Sequence, residues 1–255
     1  MSTDRVVADL RDGVLWLTLN RPEKRNAIDA AMIDGIGAAL ARADVDAAVR
    51  VLAIRGAGKD FCAGMDLAEL LASADRSIAE NEADARRLGD LFVRIRALPK
   101  PVVAVVHGRA LAGGCGLATA CDLVLAHAEA TFGYPEVRRG FVPAMVMAML
   151  RRAVGEKVAF DLIATGRELS ADEARQVGLV SRVLPAELFE ESVSALLDLM
   201  AAGSASALAL IKQQLYAIEG LAFDDAVRLG ARVNATARST PDFRRAVAQF
   251  LEKKE

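Results

Sequence analysis

Three short segments, two of small residues before a helix and one with a glutamate after a proline, can do chemistry. Phe61-Cys62-Ala63-Gly64-Met65-Asp66-Leu67 follows a short apolar run and leads into Leu67–Leu71. Unpaired backbone N–H groups at such a helix start bind anions or oxyanions. Gly64 permits a sharp turn and close approach of a ligand. Leu111-Ala112-Gly113-Gly114-Cys115-Gly116 has the same order of strand, small-residue loop and helix. One such loop is common punctuation. Two in related units can bring two N–H donors to one oxygen, an oxyanion hole. Phe132-Gly133-Tyr134-Pro135-Glu136 puts a carboxylate on a rigid, non-helical segment. In apolar surroundings Glu136 would have a raised pKa and serve as general acid and base. Alone, it fits a solvated surface position equally well.

Other chemistries are poorly served. The chain has two histidines, His107 and His127, each beside apolar or small residues, so structural roles suit both. Acid–base work therefore falls to carboxylates or backbone groups. The three cysteines (Cys62, Cys115, Cys121) show no CxxC spacing. They fit reduced thiols in a cytosol better than a disulfide framework or a zinc site, and no metal is expected. Gly56-Ala57-Gly58-Lys59 resembles a phosphate loop only superficially, because Asp60 stands where Ser or Thr is required. Neither GxGxxG nor a GxSxG elbow occurs. With 32 basic and 34 acidic residues the net charge is −2. No broad field favours nucleic acid or an anionic membrane, and any anion site must be local.

The elements that must hold these segments follow from pattern. The 255 residues suit one large domain, or one domain with an appendage. An apolar share of 53% excludes general disorder. The start lacks the basic-then-apolar order of a signal peptide, and the apolar stretch 101–128 is interrupted by His107, Arg109 and Asp122. It reads as buried core rather than a membrane span. Strands are expected at Val14–Asn20, Val49–Arg55, Pro101–Val106 and Leu123–Ala126, with a strand-like piece at Gly178–Leu184. Asn26 is expected to cap a helix over 27–44, in which Ile28, Met32, Ile36 and Leu40 share a face. Residues 73–90 suit a mobile surface helix or loop, and Leu91–Leu98 a helix. Further helices are expected at 144–153, 156–164, 171–177 and 186–202, and almost everything from Ser204 on reads as helical. The result is an α/β body with a helical C-terminal third. The units at 49–71 and 102–121 resemble one another, which hints at a repeated ββα unit.

Taken together, the ordered segments resemble the crotonase, or enoyl-CoA hydratase/isomerase, family. The resemblance covers nearly the whole chain: LNRPEKRNAID (19–29), FCAGMDL, PVVAVVHGRALAGGCGLATACDLVLA (101–126), FGYPE, GFVPA, TGRELSADEARQVGLVSRV (165–183) and FLEKK (250–254). It implies a crotonase-type spiral of repeated ββα units over residues 1–200 and a helical C-terminal trimerisation region over 201–255. Self-association as a homotrimer or hexamer is implied with it, as is a cytoplasmic enzyme. The implied ligand is an acyl-CoA thioester, with coenzyme A arriving as part of the substrate and no tightly bound cofactor.

By position, the backbone N–H groups of Met65 and Gly113 would polarise the thioester carbonyl, at about 2.7–4 kcal/mol per donor. Glu136 matches one of the two glutamates of the family's hydratases. The other position is Gly116, so standard two-glutamate hydration is in question, whereas a single glutamate can shuttle a proton between carbons. Asp66, Glu69 and the acidic stretch 80–84 are nearby in sequence as substitutes. Lys24 and Arg25 fall in the CoA-facing N-terminal loop. Ala63, Asp66 and Leu67 fall along the adenine and pantetheine path. Phe250 and Lys253 match a terminal pattern that reaches the cofactor, often from a neighbouring subunit. Met145, Met147 and Met149 follow Pro143 where many members carry a glycine-rich turn; they either reshape an acyl pocket or fill core gaps. The alternatives are a non-catalytic acyl-CoA-binding protein, or a thioester hydrolase or decarboxylase using the same oxyanion hole.

Overall fold

The computed structural model describes residues 4–252. Nine strands follow in chain order: β1 Val6–Arg11, β2 Val14–Leu19, β3 Val51–Gly56, β4 Val102–Val106, β5 Arg109–Leu111, β6 Leu123–His127, β7 Thr131–Gly133, β8 Glu168–Ser170 and β9 Arg182–Leu184. Six form one sheet in the order β1-β2-β3-β4-β6-β9, and β5-β7-β8 form a second, smaller one. The large sheet is parallel except for β1, which pairs antiparallel with β2. Their two-residue turn, Asp12-Gly13, has positive φ at both residues, as a twisted hairpin needs. The alternating pattern read at Val14–Asn20 thus has a partner strand that the sequence reading did not include.

Eleven α-helices are present among the described residues: α1 Ala30–Val45, α2 Leu67–Ala72, α3 Ile78–Ala97, α4 Gly113–Ala120, α5 Ala144–Val154, α6 Glu156–Thr165, α7 Ala171–Gln176, α8 Phe189–Ala202, α9 Ala205–Ala217, α10 Phe223–Ser239 and α11 Pro241–Glu252. Both faces of the large sheet are covered, which is why its central strands read as unbroken apolar runs. Val51, Ala53, Val103 and Val105 meet Phe189, Val193 and Leu197 of α8. The alternate residues Leu52, Ile54, Ala104 and Val106 join the larger core with residues of α1, α3 and α4.

Two expectations are corrected. The cap of α1 is Asp29, whose side chain accepts from the Met32 amide, and the helix starts at Ala30. Asn26 instead sits fully buried at φ 54, accepting from the Arg21 amide and donating to the carbonyls of Ala57 and Asp60. It ties the N-terminal loop to the loop after β3. Of the stretch 73–90, expected as a surface helix or loop separate from Leu91–Leu98, residues 78–90 are helical and continue without a break into one twenty-residue helix, α3, which opens with a Ser77–Glu80 capping box. Its buried residues, Leu88, Leu91, Phe92 and Ile95, all lie in the second half.

The C-terminal helices are anchored through α9. Lys212 is buried, and its ammonium donates to the Ile95 and Lys100 carbonyls and pairs with Asp122 at 2.8 Å. Tyr216 donates to the other Asp122 oxygen at 2.5 Å. By contrast α10 and α11 bury no residue, and Phe223, Val227, Phe243 and Phe250 are exposed. No single helix among the described residues is long and apolar enough to cross a membrane.

Candidate active site

Both glycine-containing loops and the Gly–Tyr–Pro–Glu segment open onto one cavity of about 630 Å³. The loop before α2 is stitched on both sides. Its Cys62 amide donates to the Arg109 carbonyl and its Ala63 amide to that of Arg25. Gly64 accepts from the Ile28 amide at 2.8 Å, and the Asp66 amide donates back to Ile28 at 2.9 Å. The Met65 amide between them donates to no acceptor among the described residues. Gly64 is required where it stands: φ is +98°, and a Cβ there would lie 2.7 Å from that of Ala112.

The second loop ends at Ala112, which has φ 51 and ψ −128 without being glycine. Such a backbone costs about 1–3 kcal/mol. It is held by its amide, which donates to Gly133 O at 2.8 Å. The strained turn leaves the Gly113 amide at the start of α4 with no internal acceptor among the described residues. A Cβ on Gly113 would lie only 3.8 Å from the Met65 nitrogen, so the two free amides are neighbours.

Glu136 lies on a short 3-10 helix, Pro135–Arg139, closed by Gly140 in the left-handed region. It is 8% exposed, and its Oε2 has no hydrogen-bond partner among the described residues. Burial pushes its carboxyl above the usual carboxylate range, and its own backbone amide and the Arg139 charge offset that only in part. Glu136, with its raised carboxyl, thus lines an apolar cavity whose wall also carries two neighbouring amides without internal acceptors. That arrangement can polarise a carbonyl and move a proton next to it.

Of the residues singled out in the sequence, Lys24, Arg25, Ala63, Met65, Asp66, Leu67, Gly113 and Glu136 all line this cavity. Asp66 does so with its carboxylate engaged: Oδ1 caps α2 through the Ala68 amide, and Oδ2 pairs with Arg21 at 2.9 Å. Burial would raise its pKa, but these bonds outweigh burial and hold it below the usual value. Glu69 accepts from the Ala30 amide, Glu80 caps α3, and Glu82 and Asp84 pair with arginines. None of these substitutes for a second free carboxylate. Phe250 is on α11, outside the cavity lining, and Lys253 lies outside the described residues.

Gly116 explains the missing glutamate physically. A Cβ there would collide with Val146 of α5 and lie 3.4 Å from the Phe92 ring. The space that a side chain at 116 would need is filled by α5. The methionines after Pro143 divide: Met145 lines the cavity, whereas Met149 is buried in the core. Sequence reasoning missed Leu88, which reaches the cavity through the packing of α3, and Arg139, which lies on the same 3-10 helix as Glu136.

The sequence profile of the enoyl-CoA hydratase/isomerase family matches residues 9–255. The chain belongs to this family. A Thermus thermophilus protein bearing an enoyl-CoA hydratase name is 43% identical over 92% of this chain and 93% of its own length. The 2,3-dehydroadipyl-CoA hydratase of Escherichia coli is 34% identical over 98% of this chain and 96% of its own. The crystal structure of a Mycobacterium smegmatis enoyl-CoA hydratase superposes with a TM-score of 0.92 at 34% identity, covering 98% and 96% of the two chains. The crotonase fold, with its α/β body and helical C-terminal region, is therefore established for this member of the enoyl-CoA hydratase/isomerase family.

Proposed function

We propose that this protein moves a proton on an enoyl-CoA thioester, using Glu136 as the acid–base group and the Met65 and Gly113 amides as the oxyanion hole. The observation that carries the reading is the unpartnered Glu136 oxygen on a cavity that also presents two unengaged, adjacent amides. With Val146 packed against Gly116, a single free carboxylate serves the site. Such a site suits isomerisation. Glu136 takes the proton from the α-carbon of a 3-enoyl thioester, the two N–H groups hold the enolate oxygen, and Glu136 returns the proton to the γ-carbon. Lys24 and Arg25 supply local positive charge for the CoA phosphates, with Ala63, Asp66 and Leu67 along its path. Phe250 and Lys253 approach the cofactor of a neighbouring copy, and the exposed apolar faces of α10 and α11 self-associate as a homotrimer or hexamer. Residues 1–200 form the catalytic unit and 201–255 the assembling one. Coenzyme A enters and leaves with the acyl group.

Hydration across the α/β bond is the second reading, favoured by the hydratase names of the relatives. Absorbance of the conjugated thioester separates the two. A 3-enoyl-CoA should gain it and Glu136→Gln should abolish the gain. Loss with crotonyl-CoA, and no gain with the 3-enoyl thioester, would assign hydration instead. No change with either thioester would overturn proton transfer.

A further inference from the structure

The cavity holds one charged group that proton transfer does not use. Arg139 lines it, yet forms no ion pair or hydrogen bond among the described residues. The other exposed arginines of the chain mostly find carboxylates, as Arg76, Arg86, Arg87 and Arg167 do. Arg139 is three residues after Glu136 on a 3-10 helix, where side chains at that spacing eclipse, so both point to the same side. The surrounding lining is apolar: Leu88, Phe141, Val142, Met145 and Val146. The remaining cations of the lining, Lys24 and Arg25, are on the separate N-terminal loop beside Ala27 and Ala63. The cavity therefore carries two positive sites on different segments, and the second lies with the carboxylate and α5.

The geometry points to Arg139 as a specificity residue that pairs with a carboxylate at the far end of the acyl chain. The preferred substrates are then CoA monothioesters of unsaturated dicarboxylic acids. This rests on the proposed acyl-CoA reading and adds the class of acyl group. A guanidinium matches a carboxylate with two parallel N–H donors, and an apolar surround strengthens such a pair. Arg139 is itself exposed, so water satisfies it when the acyl chain ends in a methyl group, and the preference comes from the ion pair that only a carboxylate end can make. Pairing also draws the Arg139 charge away from Glu136. The carboxylate then becomes a stronger base when the preferred substrate is bound.

The test compares two enoyl-CoA thioesters of equal chain length, one ending in a carboxylate and one in a methyl group. The wild-type protein should favour the carboxylate-ended thioester by about three- to fivefold in kcat/KM, the ratio an exposed but well-formed ion pair provides. Arg139→Gln should collapse that ratio towards one and Arg139→Lys should restore part of it. The acid limb of the wild-type pH profile should lie higher with the carboxylate-ended substrate. A wild-type ratio near one, or a ratio that survives Arg139→Gln, overturns the inference. If neither thioester is turned over, the proposed reaction fails. Arg139 is then judged by calorimetric binding of the two saturated acyl-CoA analogues, in which the same ratio and the same collapse are expected.

Discussion

The two units that supply the free amides are held in opposite ways. The helix after the second loop, α4, buries all eight of its residues. The helix after the first loop, α2, buries none of its six. The second unit is fixed by packing on every side and stores backbone strain at Ala112. The first is fixed by polar ties: strand-like pairing with Ile28, the Asp66 cap, and Arg21, which bridges Asp29 and Asp66 and donates to the Ala27 carbonyl. Packed helices open only with the core, whereas elements held at the surface by a few bonds open locally at small cost. One amide thus belongs to the floor of the site and the other to a wall that can adjust. A ligand as long as an acyl-CoA needs both a fixed reference and a way in.

Substitutions test this contrast. Glu136→Gln removes the group both units serve, and kcat should fall by about 10²–10⁴. The same variant should gain stability near neutral pH, because it removes a charge that burial disfavours. The sign follows from burial. The folded-state pKa of Glu136 lies above its unfolded value, so its contribution is full below the unfolded pKa and is lost as pH rises through the folded one. Thermal melts of the two proteins should converge towards acid pH and separate above it. Wild-type activity should rise over the same interval, since the ionised form is the base. Gly114→Ala strikes both units at once, because a Cβ there would collide with the Cys62 carbonyl and lie 2.7 Å from Cys62 Sγ. Steady-state kinetics should show kcat down about a hundredfold, the cost of one misaligned donor.

Arg21→Met breaks only the polar wall. Denaturant unfolding should show a loss of about 3 kcal/mol, because Asp29 and Asp66 lose a buried partner. Activity should fall about tenfold through displacement of the Met65 amide. Asp66→Asn keeps the α2 cap and weakens the ion pair, so its stability cost should stay under about 1 kcal/mol. An activity loss larger than that of Arg21→Met would mean that the first unit does not depend on the arginine bridge.

The site was more legible in the sequence than its frame was. Loops of small residues before a helix advertise free amides directly, and Pro135 before Glu136 marks the start of a short helical turn. The three strands of the small sheet span three residues each, too short for any alternation to register. The first half of α3 has no buried face, so its helical period is carried by caps and charges rather than by apolar spacing. Asn26 looked like a cap because its type favours caps, yet the same short amide also tolerates positive φ and bridges three backbone groups. Leu88 could not be assigned to the cavity from spacing, since only the packing of α3 brings it there.

The burial of α4 has a chemical consequence for the thiols around it. Cys62 lies in the loop before α2 and Cys115 in the first turn of α4, and both are buried free thiols. Burial pushes each thiol up to about 12, which keeps it in the un-ionised form at neutral pH. A thiolate there would attack the acyl carbonyl and capture the acyl group by exchange with coenzyme A. By packing both sulfurs inward, the fold keeps these two nucleophiles out of the cavity lining and away from the thioester proposed to enter it.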